Sequence, residues 1–235
     1  MRKPPPPPAL VHRLRSDTST HLASATSFVR VPGVTRVNEM FVSPQGSFKV
    51  NRPAFPGVTA GLDETAALIA AGGWDCVVMS GSLPRDYPAD AYRTLVEAAR
   101  VAGAETILDA SGAALAEGVK AHPDVIKPNA DECAPLVGFV PSSPDDFRRA
   151  TEALRAFCRT PIISDGAGGC WFDGVFSAAP EVDVLDTTAA GDTLLAEWCF
   201  TRDGRRAVAA GSASCTMPGG QPPSCSLVDQ LARSE

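Results

Sequence analysis

The sequence predicts an α/β domain on a largely parallel sheet, and three observations predict it. From residue 34 onward, short apolar runs alternate with helix-like stretches, the pattern of helices packed on a sheet. The runs Cys76–Met79, Thr106–Leu108, Val125–Ile126 and Ile162–Ile163 each lead within two residues into Ser, Asp or Pro, residues that stop a strand and start a turn. A chain of 235 residues with 44% hydrophobic content can also bury a sizeable core.

The elements follow in order. Residues 1–33 carry five consecutive prolines, Pro4 to Pro8, and then a Ser/Thr-rich stretch without a sustained period, a composition that predicts an extended, poorly ordered lead-in. Residues 34–235 form the domain. Arg36–Val50 reads as a short hairpin around Gly46. Ala89–Val101 predicts a helix with Ala91, Leu95, Ala98 and Ala99 on one face, and Pro144–Phe157 predicts an amphipathic helix with Ser143 as its cap. Right-handed crossovers join the strands, and ligands of such sheets gather at the strands' carboxyl ends.

Charge and cysteine usage exclude several classes. The formal net charge is −6, and Lys and Arg are scattered, which gives no electrostatic footprint for nucleic acid or an anionic membrane. No apolar run is long enough to span a bilayer, and the basic, proline-rich start lacks the apolar centre of a signal peptide, so a cytoplasmic location is expected. The seven cysteines, Cys76, Cys133, Cys158, Cys170, Cys199, Cys215 and Cys225, contain no C-x-x-C pair and read as reduced thiols. His12, His21 and His122 share no ligand spacing.

The most informative segment runs from Val182 to Ala196, where small residues lead directly into Asp192 and then an apolar run. With Ala190–Thr193 as the first turn of a helix, the leading N–H groups and the helix dipole make an anion site with a carboxylate at its edge. Such a site binds a phosphoryl group and takes a proton from its acceptor. Capping of the helix by Asp192 alone explains the local pattern equally well.

Asp186-Thr187-Thr188-Ala189-Ala190-Gly191-Asp192 resembles the signature Asp-Thr-x-Gly-Ala-Gly-Asp of the PfkB/ribokinase family of carbohydrate kinases, in its 1-phosphofructokinase and tagatose-6-phosphate kinase branch. The resemblance implies a three-layer ribokinase-like fold, with Asp192 as catalytic base and Ala189, Ala190 and Gly191 in the anion hole. Ala189 replaces the family's first glycine; if that position needs a positive φ, alanine strains the turn. Ser80-Gly81-Ser82-Leu83-Pro84 is similar to the sugar-contacting turn, which makes Ser82 a substrate contact. Ile126-Lys127-Pro128-Asn129-Ala130-Asp131-Glu132 resembles Lys-Pro-Asn-x-x-Glu, which implies Lys127 and Asn129 at the nucleotide and Asn129 and Glu132 organising magnesium through water. Taken alone, Asn129 and Glu132 read equally as a helix-start cap. Asp109-Ala-Ser-Gly112 is similar to Asp-x-Ser-Gly.

Ser164-Asp165-Gly166-Ala167-Gly168-Gly169 is similar to the family's Ser-Leu-Gly-x-x-Gly turn, with Asp165 where leucine is usual; Ser164, Gly166 and Gly169 are the implied ATP contacts. The small-residue run Ala207–Gly219 resembles the helix that closes the adenine pocket, which adds Gly211, and tight helix packing explains it as well. Thr35-Arg36-Val37-Asn38 resembles Thr-Arg-x-Asn, and Arg36 suits a substrate phosphate because its donors match phosphate oxygens in pairs.

The activity so implied is transfer of the ATP γ-phosphate to a hydroxyl of a ketohexose phosphate, fructose 1-phosphate or a relative, with ATP and Mg2+ as cofactors and a homodimer as the assembly. The family's opening section has no counterpart in the sequence, so an N-terminally truncated domain is expected. The alternative is a nucleotide-binding remnant or interaction protein of the same fold.

Overall fold

The computed structural model describes residues 29–31, 38–43, 46–51, 59–84 and 87–234. The expected lead-in over residues 1–33 falls almost wholly outside them, as does Arg36. Strands β1 (Asn38–Ser43) and β2 (Gly46–Asn51) form an antiparallel pair with Phe41 opposite Phe48 and Ser43 opposite Gly46. The expected hairpin is therefore present, with Gly46 opening its second strand.

A second sheet has six strands in chain order: β3 (Cys76–Ser80), β4 (Glu105–Asp109), β5 (Val125–Ile126), β6 (Thr160–Ser164), β7 (Gly169–Phe172) and β8 (Val175–Ala178). All four predicted strands appear, as β3 to β6, and they run parallel. The chain then turns back, and β7 and β8 extend the sheet antiparallel. These two strands were not expected from the sequence. The glycines at their boundaries, Gly169 with φ 131° and Gly174 with φ 87°, permit the tight reversals.

Side chains alternate across a strand, so neighbouring residues of one strand feed opposite cores. Leu108, Ile126, Ile163 and Trp171 point to one side, with Tyr92, Val96, Leu115, Cys133, Phe147 and Leu154. Those partners come from α2 (Ala91–Val101), α3 (Gly112–Gly118), α4 (Ala130–Val137) and α5 (Pro144–Leu154). Ile107, Val125, Ile162, Cys170 and Phe172 point to the other side, against Leu194, Leu195 and Trp198 of α6 (Ala190–Thr201) and Ala207 and Val208 of α7 (Gly204–Cys215). The outcome is helix layer, sheet, helix layer. Each fully buried Leu or Ile in these cores contributes about 1.5–3 kcal/mol. Two more helices, α1 (Thr59–Ala70), beside α2, and α8 (Cys225–Arg233), on α7, complete the outer layers.

Two helix expectations need correction. Helix α2 buries Ala91, Tyr92, Val96 and Ala99, whereas Leu95 and Ala98 are only half-buried, so the inward face is turned toward Tyr92 and Val96. Helix α5 stops at Leu154, three residues early, where the N–H groups of Ala156 and Phe157 bond to carbonyls three residues back. Its cap is as expected: the Ser143 hydroxyl accepts from the Asp146 N–H.

Candidate active site

The carboxyl ends of β3, β4 and β5 bring three predicted segments together. Ser80 and Asp109 are register partners, and the Gly81 N–H donates to the Asp109 carbonyl at 3.2 Å. Gly81 has φ 99°, which turns the chain toward Ser82, an exposed residue. The Tyr92 hydroxyl, from α2, donates to the Gly81 carbonyl at 2.8 Å and anchors the turn from below.

Lys127, one residue past β5, is buried, and its Nζ lies 3.1 Å from Asp109 Oδ1. The sequence reading did not foresee this ion pair. The available signal was an aspartate placed directly at the end of an apolar strand, where the sheet opens toward a ligand. Burial pushes the Asp109 carboxyl above the usual carboxylate range; Lys127 opposes that shift, and the negative charge of Asp192 adds to it. Asp109, Lys127 and Asp192 therefore share one electrostatic environment although they come from distant parts of the chain.

Asp192 stands in the first turn of α6. The first i→i−4 bond of that helix runs from the Thr193 N–H to the Ala189 carbonyl at 2.8 Å, so the N–H groups of Gly191 and Asp192 precede the helix ladder and lie at its positive end. A Cβ on Gly191 would sit 3.4 Å from Lys127 Nζ. Glycine there keeps open the gap between an ammonium group and a helix amino terminus, two elements that both favour an anion. Ala189 occupies the N-cap with φ 63° and ψ 12°, so the condition under which alanine strains this turn is met.

The same turn is braced from behind. One Asp186 oxygen accepts from the Thr188 N–H and the other from the Gly219 N–H, each at 2.9 Å, tying the loop to the short helical turn Pro218–Gly220. A Cβ on Gly211 would meet the Ala190 carbonyl at 3.1 Å and Leu194 Cβ at 3.2 Å, so glycine at 211 lets α7 approach the first turn of α6 closely. Packing thus accounts for Gly211 in the described structure.

Asn129 and Glu132 form a capping box at α4: the Asn129 side chain accepts from the Glu132 N–H at 2.9 Å, and the Glu132 carboxylate accepts from the Asn129 N–H at 3.0 Å. Asn129 also bridges to Ser164, whose N–H donates to the Pro128 carbonyl at 3.1 Å, so this segment and the end of β6 are held side by side. Gly166 and Gly169 belong to the turn after β6, closed by the Asp165 N–H on the Gly169 carbonyl at 2.9 Å. A Cβ on Gly169 would stand 2.2 Å from the Ser177 carbonyl oxygen, so that glycine is required by the β7–β8 pairing. Among the described residues no group of three or more His, Cys, Asp or Glu side chains is arranged to hold a metal ion. No helix among them is long and apolar enough to cross a membrane.

A mostly parallel sheet covered on both faces, with a helix amino terminus, a lysine and two aspartates grouped at the carboxyl ends of its parallel strands, defines an α/β protein of the ribokinase-like class. Solved structures agree on the fold. Escherichia coli phosphofructokinase-2 superposes with a TM-score of 0.70 at 24% identity, covering 79% of this chain and 65% of that one. A possible 1-phosphofructokinase from Thermotoga maritima gives 0.73 at 20% identity, covering 88% and 72%. The chain belongs to the pfkB family of carbohydrate kinases, which it matches over residues 61–225. A curated relative, the 1-phosphofructokinase of Rhodobacter capsulatus, is 36% identical over 178 residues, 71% of this chain. The match spans 56% of that relative's length.

Proposed function

We propose that the chain carries the phosphoryl-transfer half of an ATP-dependent phosphosugar kinase, acting on a hydroxyl of a ketohexose phosphate such as fructose 1-phosphate. The observation that carries this reading is the placement of Asp192 in the first turn of α6, facing the Lys127–Asp109 pair across the gap that Gly191 leaves. The name of the Rhodobacter capsulatus relative supports the substrate class.

In this reading Asp192 accepts the proton of the sugar hydroxyl. The N–H groups of Ala190, Gly191 and Asp192, with Lys127, neutralise charge that builds on the transferred group; positioning and electrostatics are the catalytic contributions expected of a phosphoryl-transfer site. Ser82, on the turn after β3, contacts the sugar, and Arg36 meets its phosphate. Ser164, Gly166, Gly169 and Gly211 border the nucleotide.

The residues fit a polyphosphate, since a buried ammonium and a helix amino terminus flank one opening. Magnesium bound with ATP would supply further charge neutralisation. Asn129 and Glu132, paired in the capping box at the start of α4, would hold it through water. A homodimer is part of the proposal: β3 is one of the two edges of the six-stranded sheet among the described residues and leaves Val78 46% exposed.

The test is ADP release by the purified chain with ATP and magnesium, with and without fructose 1-phosphate. Sugar-dependent release that falls by about 10²–10⁴-fold in Asp192→Asn is the expected result. A folded chain that binds ATP and shows no sugar-dependent release would replace the kinase reading with a nucleotide-binding one.

A further inference from the structure

The turn after β3 is anchored at both ends. The Gly81 N–H donates to the Asp109 carbonyl at 3.2 Å, and Leu83 packs against the core cluster that holds Tyr92 and Val96. Between these anchors lies the Gly81–Ser82 peptide. Gly81 has φ 99°, Gly81 and Ser82 are both exposed, and a Cβ on Gly81 would meet nothing within 4 Å, so packing does not fix the plane of that peptide. Among the described residues one contact does, the hydrogen bond from the Tyr92 hydroxyl to the Gly81 carbonyl at 2.8 Å. A peptide group is planar and trans, so its carbonyl and its N–H point in opposite directions. With the Gly81 carbonyl drawn toward α2, the Ser82 N–H faces away from α2, and it makes no hydrogen bond to another described residue. We propose that Tyr92 is a positioning residue for the sugar: it holds the Gly81–Ser82 peptide in the orientation that presents the Ser82 N–H to an oxygen of the ketohexose phosphate. The proposal rests on the kinase reading above, in which Ser82 contacts the sugar.

The side chain suits this task. Tyr92 lies in the first turn of α2 and is buried in the core cluster, so packing sets the place of its hydroxyl. Burial and the negative charge of Asp109 push that hydroxyl above its ordinary pKa, so it keeps its proton and remains a donor. Because Gly81 is exposed, its carbonyl can turn to water once the Tyr92 hydroxyl is gone, and the loss then falls on the orientation of the peptide more than on folding. A rotated peptide offers a carbonyl oxygen where the N–H stood. Toward an anionic sugar phosphate that exchanges a donor for an acceptor.

The test is Tyr92→Phe in the intact chain. Rates of ADP release are measured with fructose 1-phosphate and ATP each varied, dissociation constants of both ligands by calorimetry, and folding by thermal unfolding. The KM and Kd for fructose 1-phosphate should rise about 3- to 10-fold, the worth of one neutral hydrogen bond. The kcat and the constants for ATP should stay within about twofold, as expected where uniform sugar binding alone is lost. Tyr92→Leu, which also lacks the hydroxyl, should show the same sugar-only rise. A parent that binds fructose 1-phosphate and a Tyr92→Phe variant that binds it equally well would overturn the proposal and leave the kinase reading standing. Equal losses on the sugar and ATP sides, or failure of both variants to fold, would overturn it too, since the bond then serves the fold alone. A parent that neither binds nor phosphorylates fructose 1-phosphate removes the kinase reading, and the proposal with it.

Discussion

Ala189→Gly should make the protein more stable, against the usual direction for an alanine to glycine change. Ala189 sits at φ 63°, ψ 12°, in the left-handed region. An L-residue with a Cβ there costs about 1–2 kcal/mol, while glycine costs about 0.4–1 kcal/mol through the greater freedom of the unfolded chain. The half-buried Ala189 methyl faces the Gly220 backbone, and its loss removes little packing. The net is a gain of about 0.5–1 kcal/mol, which for a chain of this size raises the unfolding midpoint by about 1–4 °C. Thermal unfolding of both proteins in one buffer measures it. An unchanged or lower midpoint would refute the claim that the turn is strained. Should the midpoint rise, sugar-dependent ADP release of the variant should at least match that of the parent, because the turn nearest Asp192 then relaxes without altering Lys127 or Asp109.

Three further outcomes follow from contacts already described. Lys127→Met leaves Asp109 buried without its cation and should cost about 3 kcal/mol in urea unfolding, with part of the loss recovered in the double variant carrying Asp109→Asn. Gly169→Ala drives a methyl group into the Ser177 carbonyl at a backbone angle that favours glycine, so β7 and β8 must separate; a loss of about 3 kcal/mol or more is expected, read as a fall in midpoint. The Asp109 carboxyl has a raised pKa because it is buried, so the folded state binds its proton more tightly than the unfolded state does. Its stabilising contribution is then fully present below the ordinary aspartate pKa and is lost as pH rises through the raised folded value. Urea midpoints of the parent, compared with Asp109→Asn across that range, should fall relative to the variant as pH increases; a parallel pair of curves would contradict the shift.

The four parallel strands were legible because each is a short apolar run closed by a turn residue, and the capped start of α5 because Ser143 precedes Pro144. Strands β7 and β8 were not, since Gly169–Phe172 and Val175–Ala178 are four residues each and their identity depends on pairing with β6 and with each other. Helix α2 was placed correctly in the chain, and its buried face was misjudged because small alanines were weighted over Tyr92. At the site, the small residues leading into Asp192 signalled the start of a helix, and the question of a positive φ at Ala189 arose from its standing where the resembling family has glycine. For the Lys127–Asp109 pair the sequence offered only an aspartate at the end of an apolar strand; that Lys127, just past β5, is its partner depends on a register that only the folded sheet reveals. For Asn129 and Glu132 the sequence left two readings, and the side chains are found in the capping arrangement.

The Asp186 bracket gives the site a place in time. One of its carboxylate oxygens acts within the loop and the other on the N–H of Gly219, a residue made 33 positions later. As the chain emerges from the ribosome, β3, β4 and β5 can pair while the loop that carries Asp192 still lacks half its bracing. The first turn of α6 therefore waits until the stretch through Gly219 has been released and packed, so a nascent domain with its main core assembled still lacks a fully braced Asp192 turn.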